Sequence, residues 1–317
     1  MAPNQCITFW DRPQTGQWRA VNRGFAGEFR PQARGHGFCR KPPRTAPFHS
    51  QTANMNKTHI ALASALIASV STLAHAADAA PAPAAPTPDW TVTANVSLAS
   101  DYRFRGISQT DKRPAISGGF DVGHSSGFYV GNWNSNIDAD FFQGGNVEMD
   151  FYGGYKGTIS DFGYDLGAIY YYYPGSGRKP NAAVVKNTEL YVGASYGPVS
   201  VKFYYPLSDF FNAENIYGGG NAGGSYYVDL SGAYDLGSGF GVVGHVGYQK
   251  LKGAAKLAEA DGHVTKDYTD WKLGITYALP NNFVAAVSYI DTNRKYLGAT
   301  GHKVSNATGV LSISKTF

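Results

Sequence analysis

From Trp90 to the last residue, apolar or aromatic side chains alternate with Gly, Ser, Thr, Asn or charged ones. This period of two is the signature of strands that turn one face to an apolar medium. Trp90, Val92, Ala94, Val96 and Leu98 share one face, and Thr91, Thr93, Asn95 and Ser97 the other. The same parity runs on through Tyr102 and Phe104 against Asp101, Arg103 and Arg105, predicting a first strand that continues past residue 100. Val147, Met149, Phe151, Gly153 and Tyr155 oppose Glu148, Asp150, Tyr152 and Lys156; Phe162, Leu166 and Tyr170 oppose Gly163, Asp165 and Gly167. The pattern predicts about twelve strands, starting near residues 90, 114, 127, 146, 161, 187, 198, 225, 239, 268, 282 and 307. The segment at 127 is ambiguous, because Phe128 and Val130 share parity with Asn132 and Asn134.

The connections alternate as well. Turn-forming residues make short links at 124–127, 157–161, 197–198, 236–239 and 280–282. Longer polar links fall near 106–114, 138–145, 174–186, 206–224, 251–267 and 291–306. Five short and six long links are what an antiparallel up-and-down barrel of twelve strands with both termini at one end requires, whereas a soluble sandwich has no reason to sort its loops this way. The segment from Phe162 to Tyr172, ten steps of about 3.4 Å tilted roughly 45°, rises about 24 Å, close to the roughly 25 Å apolar band of an outer-membrane barrel. The expected fold class is therefore all-β, a transmembrane antiparallel β-barrel over 90–317.

Aromatic residues on the apolar parity sit toward strand ends at Trp90, Phe104, Phe162, Tyr172, Tyr226, Tyr248, Trp271 and Tyr289, where interfacial girdles belong. The opposite parity is mostly Gly, Ser, Thr and Asn, a lumen composition. The chain stops on Phe317, with Ile313, Leu311 and Gly309 on its parity. This resembles the terminal aromatic strand through which barrels are received by the barrel-assembly machinery, although Lys315 departs from the pattern.

Composition revises the picture only once the chain is divided. The total is 27 Lys+Arg against 23 Asp+Glu with two Cys, a formal charge of +4. Residues 55–76 carry the charged start, 14-residue apolar core and Ala74-His75-Ala76 end of a secretory signal peptide, with cleavage between Ala76 and Ala77. Signal peptides act at the N-terminus, so residues 1–54 are out of place. That segment holds eight Lys/Arg, two Asp/Glu and both Cys without hydrophobic periodicity. The favoured reading is a misassigned start with Met55 as the initiator; the competing reading is an Arg-rich arm. Residues 77–89 are an Ala/Pro tether. The exported chain then carries 18 Lys/Arg against 21 Asp/Glu and no Cys, in keeping with an oxidising extracytoplasmic compartment. Its partners are expected to be outer-membrane lipid and small solutes, with no nucleic acid. The longest apolar run, the 15 residues Ile60 to Ala74, falls short of the roughly 20 a spanning helix needs.

The stretch Asp101-Tyr102-Arg103-Phe104-Arg105-Gly106-Ile107-Ser108-Gln109, with Pro114 to Asp121, Gly127 to Gly131 and Glu148-Met149-Asp150, resembles the TorF family of porins. That resemblance covers most of 90–317 and implies an outer-membrane barrel of Gram-negative bacteria with a pore function. It has no counterpart for residues 1–54.

A pore needs a polar lining whose charges select what enters. Inward parity offers Asp101, Asp121, Glu148, Asp150, Asp165, Glu189, Asp229 and Asp235 as acids, Arg103, Arg105, Lys156, Lys202 and Lys272 as bases, and His245. The expectation is a narrow, mildly acidic channel for passive diffusion of small solutes or ions. Cross-strand pairing that closes the lumen into a plugged structural barrel is the alternative, and adhesion through the long loops 206–224 and 251–267 a third. An outer-membrane lipid-modifying enzyme is disfavoured. His124 stands beside Ser125 and Ser126 in a turn, and no His of the exported chain has a ligand or base partner at useful spacing, so neither catalysis nor a metal or cofactor is expected. The run Gly218 to Gly224 lacks the Lys-Ser/Thr of a phosphate loop.

Overall fold

The computed structural model describes residues 89–258 and 264–317. The predicted leading segment 1–54, the signal peptide with its Ala76/Ala77 cleavage point and the tether up to residue 88 lie outside the described residues, as do Glu259, Asp261 and His263 in the fifth long link.

Twelve antiparallel strands close into a barrel. They are β1 (Trp90–Ala99), β2 (Ala115–His124), β3 (Phe128–Asn136), β4 (Val147–Ile159), β5 (Phe162–Tyr172), β6 (Lys186–Tyr196), β7 (Val199–Pro206), β8 (Tyr226–Gly237), β9 (Phe240–Lys250), β10 (Asp267–Leu279), β11 (Phe283–Thr292) and β12 (Thr308–Thr316). Each pairs with its neighbours in sequence, and β12 closes the ring on β1 in the register Asn95 to Thr316 through Ala99 to Ser312. Closure leaves no unpaired sheet edge, the condition for strands to cross a bilayer. The starting points, the alternation of short and long links and the placement of both ends of the barrel at the short-turn end agree with the pattern of the sequence. At the last short turn Asn281 and Asn282 both take φ of 61°, a left-handed conformation that Asn tolerates far better than bulkier residues.

The ambiguous third strand resolves by local hydrogen bonding. Phe128 and Val130 face outward, 64% and 58% exposed. Asn132 and Asn134 share that face, but their amides donate to the Asp150 carbonyl at 2.9 Å, the Gly118 carbonyl at 3.3 Å and the Asn132 side-chain oxygen at 2.5 Å. The sheet's own carbonyls thus absorb donors that would be costly to leave open on an apolar face.

One strand ends earlier than expected. β1 stops at Ala99, and residues 100–114 turn into the barrel, with Arg103–Phe104 and Ile107–Ser108 forming a miniature hairpin of their own. Parity persists across the break because both the wall and this hairpin present polar groups to the same interior. Four of the long links, through Ile107, Phe210, Ala213, Ala222, Leu251, Ala254, Tyr296 and Val304, pack into one buried apolar cluster with Tyr268 at the loop end. The link from Phe210 carries a short helix, α1 (Ala213–Tyr217). A second cluster gathers inward side chains of the wall, Ile169, Tyr171, Tyr191, Tyr204 and Tyr227, with Phe104 and Phe211 from the links. The packed core of this barrel is therefore inside its upper lumen.

Candidate functional site: the lumen and its plug

The two faces of the wall differ sharply in chemistry. Outward positions are apolar, with Val92 69%, Ile116 63%, Leu230 52%, Leu273 62% and Leu311 63% exposed. Outward Lys and Asp on the strands, Lys186, Lys250, Asp267, Asp291 and Lys315, stand only in the first or last two residues of theirs. An apolar belt with charge confined to its rims is the surface of a membrane-spanning barrel. Trp90 and Phe162 lie outward at the short-turn end, the first against His124 at 4.5 Å and the second against Tyr196 at 4.9 Å. Tyr172, Tyr226, Tyr248, Trp271 and Tyr289 lie outward toward the loop end. Phe104 does not belong with them: its ring is packed inside the lumen, 5.7 Å from Tyr171 and 6.0 Å from Phe211, because the chain has left the wall five residues earlier.

Inward, the first link forms a plug whose bonds account for nearly every polar residue in Asp101 to Gln109. Asp101 is buried and accepts from the Arg103 Nε at 2.6 Å, the Ser108 hydroxyl at 2.5 Å and the Thr110 hydroxyl at 3.1 Å. Arg103 ties the hairpin to the last long link, donating to the Val304 carbonyl at 2.9 Å and the Thr308 hydroxyl at 2.7 Å. Asp101, Arg103 and Arg105 are thus parts of the plug and not of the wall. Arg105 crosses the lumen. Its guanidinium donates to Glu189 on β6 at 2.6 Å and to the Gln249 side-chain oxygen on β9 at 2.7 Å, and lies 4.4 Å from the centre of the Tyr227 ring and 4.7 Å from that of Phe104. Arg105 and Gly106 take φ of 47° and 78°, and an added Cβ on Gly106 would stand 2.5 Å from Thr292 Cγ2 and 2.6 Å from Asp270 Cβ. Only glycine lets the plug approach the wall so closely. Tyr102 donates to Glu148 at 2.8 Å; burial and then the Glu148 carboxylate hold its hydroxyl well above the usual phenol range, so the proton stays available for that bond.

The remaining candidates lie on the wall. Lys202 pairs with Asp165 at 2.7 Å, and Asp165 also accepts from the Tyr129 hydroxyl at 2.6 Å. Asp121 accepts from the Tyr152 hydroxyl at 2.7 Å. His245 lies between two carboxylates, Nδ1 2.8 Å from Asp229 and Nε2 3.3 Å from Asp270. Lys272 is its register partner on β10, Lys156 stands 5.1 Å from the centre of the Tyr129 ring, and Asp235 is exposed by the short turn at 238–239, accepting from the Gly237 amide at 2.8 Å. Glu148, Asp150 and Glu189 are the most deeply buried acids of the set. His124 hydrogen-bonds within its own turn to Ser126, and His302 lies 3.3 Å from Asp111 in the links.

Sequence reasoning missed Asp270, fully buried beneath Gly106 and hydrogen-bonded to Tyr227, although it shares parity with Lys272. It placed Tyr152 on the inward face without a role there, and missed the inward tyrosines Tyr129, Tyr171, Tyr191, Tyr204 and Tyr227, whose hydroxyls or rings contact the lumen charges. The unbroken run Tyr170 to Tyr173 hides its alternation, since Tyr170 and Tyr172 face out while Tyr171 faces in.

Solved structures similar to this chain include the NanC porin (11% identity, TM-score 0.45, covering 72% of this chain and 99% of that one). The KdgM porin (9%, 0.42, 71% and 98%) and an outer-membrane channel from Pseudomonas putida F1 (11%, 0.37, 76% and 100%) are similar too. No curated protein matches the chain. Residues 83–317 match the profile of Gcw_chp, a family described as bacterial protein of unknown function, and the chain belongs to that family.

Proposed function

We propose that this protein is an outer-membrane channel for passive movement of small solutes or ions, held closed at its loop end by the inward-folded first link. The carrying observation is the pairing of an apolar outer belt with a charged interior whose wall carboxylates outnumber its lysines. Inward wall positions hold eight carboxylates, Asp121, Glu148, Asp150, Asp165, Glu189, Asp229, Asp235 and Asp270, against three lysines, Lys156, Lys202 and Lys272. Such a lining favours cations. The resemblance to TorF porins points the same way, and the residues that carry it, Asp101 to Gln109, are the plug itself. In this reading the plug is the gate. A lipid-modifying enzyme has less support: Ser231 and Lys272 are the register partners of His245, but the Ser231 hydroxyl donates to Asp229 and both imidazole nitrogens face acids, so no nucleophile is bonded to the base.

The test is single-channel recording on purified protein in planar bilayers under a salt gradient. Cation-biased steps, rare in the wild type, are expected. Complete silence under all voltages in both wild type and plug variants would favour a purely structural or adhesive barrel, and a clear anion preference would reject the acidic-lining argument. Export by the signal peptide and reception of the β12 strand through Phe317 belong to the same proposal; N-terminal sequencing of the native protein checks the first, since any peptide from 1–54 refutes it.

A further inference from the structure

The acids of the upper lumen are not balanced equally. Glu189 has Arg105, Asp165 has Lys202, and Asp229 and Asp270 share His245. Glu148 and Asp150, next to each other on the inward face of β4 and each 1% exposed, have no cationic partner among the described residues. Glu148 accepts from the Tyr102 hydroxyl at 2.8 Å. Asp150 Oδ1, by contrast, is fully enclosed and has no donor at all; Asn187 Nδ2, level with it across Tyr171, and Glu189 Oε1, two residues further along β6, are also enclosed without partners.

Two adjacent carboxylates removed from water cannot both remain charged and uncompensated. A proton on one of them removes the repulsion but brings no donor from a neighbour to Asp150 Oδ1. A cation satisfies both conditions. We propose that Glu148 and Asp150 bind a hard, oxygen-preferring divalent cation of the calcium type beneath the plug, with Asp150 Oδ1 as a ligand. The donor set is all oxygen, two carboxylates with the Tyr102 hydroxyl beside them, the kind of ligand such an ion prefers. Tyr102 belongs to the plug, so the ion-bound carboxylate it touches also anchors the gate to the wall. The site rests on the inward orientation of β4 and not on conduction, so it stands or falls separately from the channel reading.

The experiment uses Tb3+ as a calcium surrogate on purified protein in neutral detergent, excited through tyrosine. Tyr102, Tyr171 and Tyr173 surround the site and serve as sensitisers. The expected result is saturable green emission displaced by Ca2+, weakened about tenfold or more in Asp150→Asn and Glu148→Gln, and unchanged in Asp140→Asn, an exposed loop carboxylate paired only with Lys179. A second measurement needs no variant: the temperature at which the folded band converts to the unfolded one on a gel should rise with Ca2+ and fall with EDTA, since an ion that binds only the folded barrel stabilises it. Emission that is absent, or equal in wild type and both β4 variants, overturns the proposal, as does a wild-type transition that ignores Ca2+ and EDTA. Lost conductance with intact Tb3+ binding would refute the channel while leaving the site.

Discussion

If Arg105 latches the plug, replacing it should open the barrel by an amount the structure sets. Its side chain is 5% exposed and that of Glu189 0%. Arg105→Met keeps the length and stem of the side chain but removes two charge-assisted bonds, to Glu189 at 2.6 Å and Gln249 at 2.7 Å, and the contacts with the Tyr227 and Phe104 rings. It also strands the Glu189 carboxylate in the lumen. Breaking one side of a buried pair costs about 3–5 kcal/mol, mostly the uncompensated charge left behind. That cost falls on the closed state, because an opened plug admits water to Glu189. At about 1.4 kcal/mol per factor of ten, the open-to-closed ratio should rise by about 100-fold or more. Recording single channels before and after the substitution measures that ratio directly. The neutral double variant Arg105→Met/Glu189→Gln removes the stranded charge and should recover about 1–3 kcal/mol of closure, the usual coupling between contacting residues. An open probability identical in wild type and Arg105→Met would refute the latch. So would equal opening in the single and double variants, since the effect would then not depend on the Glu189 charge.

Other consequences follow from the same geometry. Gly106→Ala should loosen the plug without touching any charge, because its Cβ meets Thr292 and Asp270 at about the length of a strong hydrogen bond; more frequent opening than in the wild type is the expected reading, and unchanged gating would show that the close approach is not needed. Leu273→Arg, in the middle of the outward face of β10, should destabilise the folded barrel in liposomes by about 2–4 kcal/mol by urea titration. The same change at Thr269, near the rim of the same strand, should cost about 0–1 kcal/mol, and equal costs would contradict the belt. Asp229→Asn, which removes the carboxylate 2.8 Å from His245 Nδ1, should shift the reversal potential in a salt gradient toward weaker cation preference; an unmoved potential would mean that the ion path avoids β8.

Most of the wall was legible because a barrel imposes one rule on every strand: lipid outside, polar lumen inside, period two throughout. The strands from Val147 to Tyr205 obey it so regularly that their limits could be read to within a few residues. The plug was not legible for the same reason. Residues 101–105 keep the alternation of β1, so the pattern alone extends the strand, and nothing in parity distinguishes a polar side chain that faces the lumen from the wall from one that enters it on a hairpin. The discriminating signal is conformational. Arg105 and Gly106 both adopt positive φ, Gly106 is the residue that lets the turn touch β10 and β11, and Gly-Ile-Ser-Gln returns the chain toward its start, where the Gln109 amide donates to the Tyr102 carbonyl at 2.8 Å. A charge argument would have helped more than periodicity. Arg103, Arg105 and Asp101 at the loop end of a strand 10 residues long would have stood where the outward rim needs only modest polarity, yet all three are buried or nearly so. Two arginines that cannot remain unpaired in a barrel must find acids, and they do so at Asp101 within the link and at Glu189 across the lumen. The candidate channel is therefore defined by its loop as much as by its wall: the wall supplies carboxylates in excess, and the first link supplies the cation, Arg105, that closes over one of them.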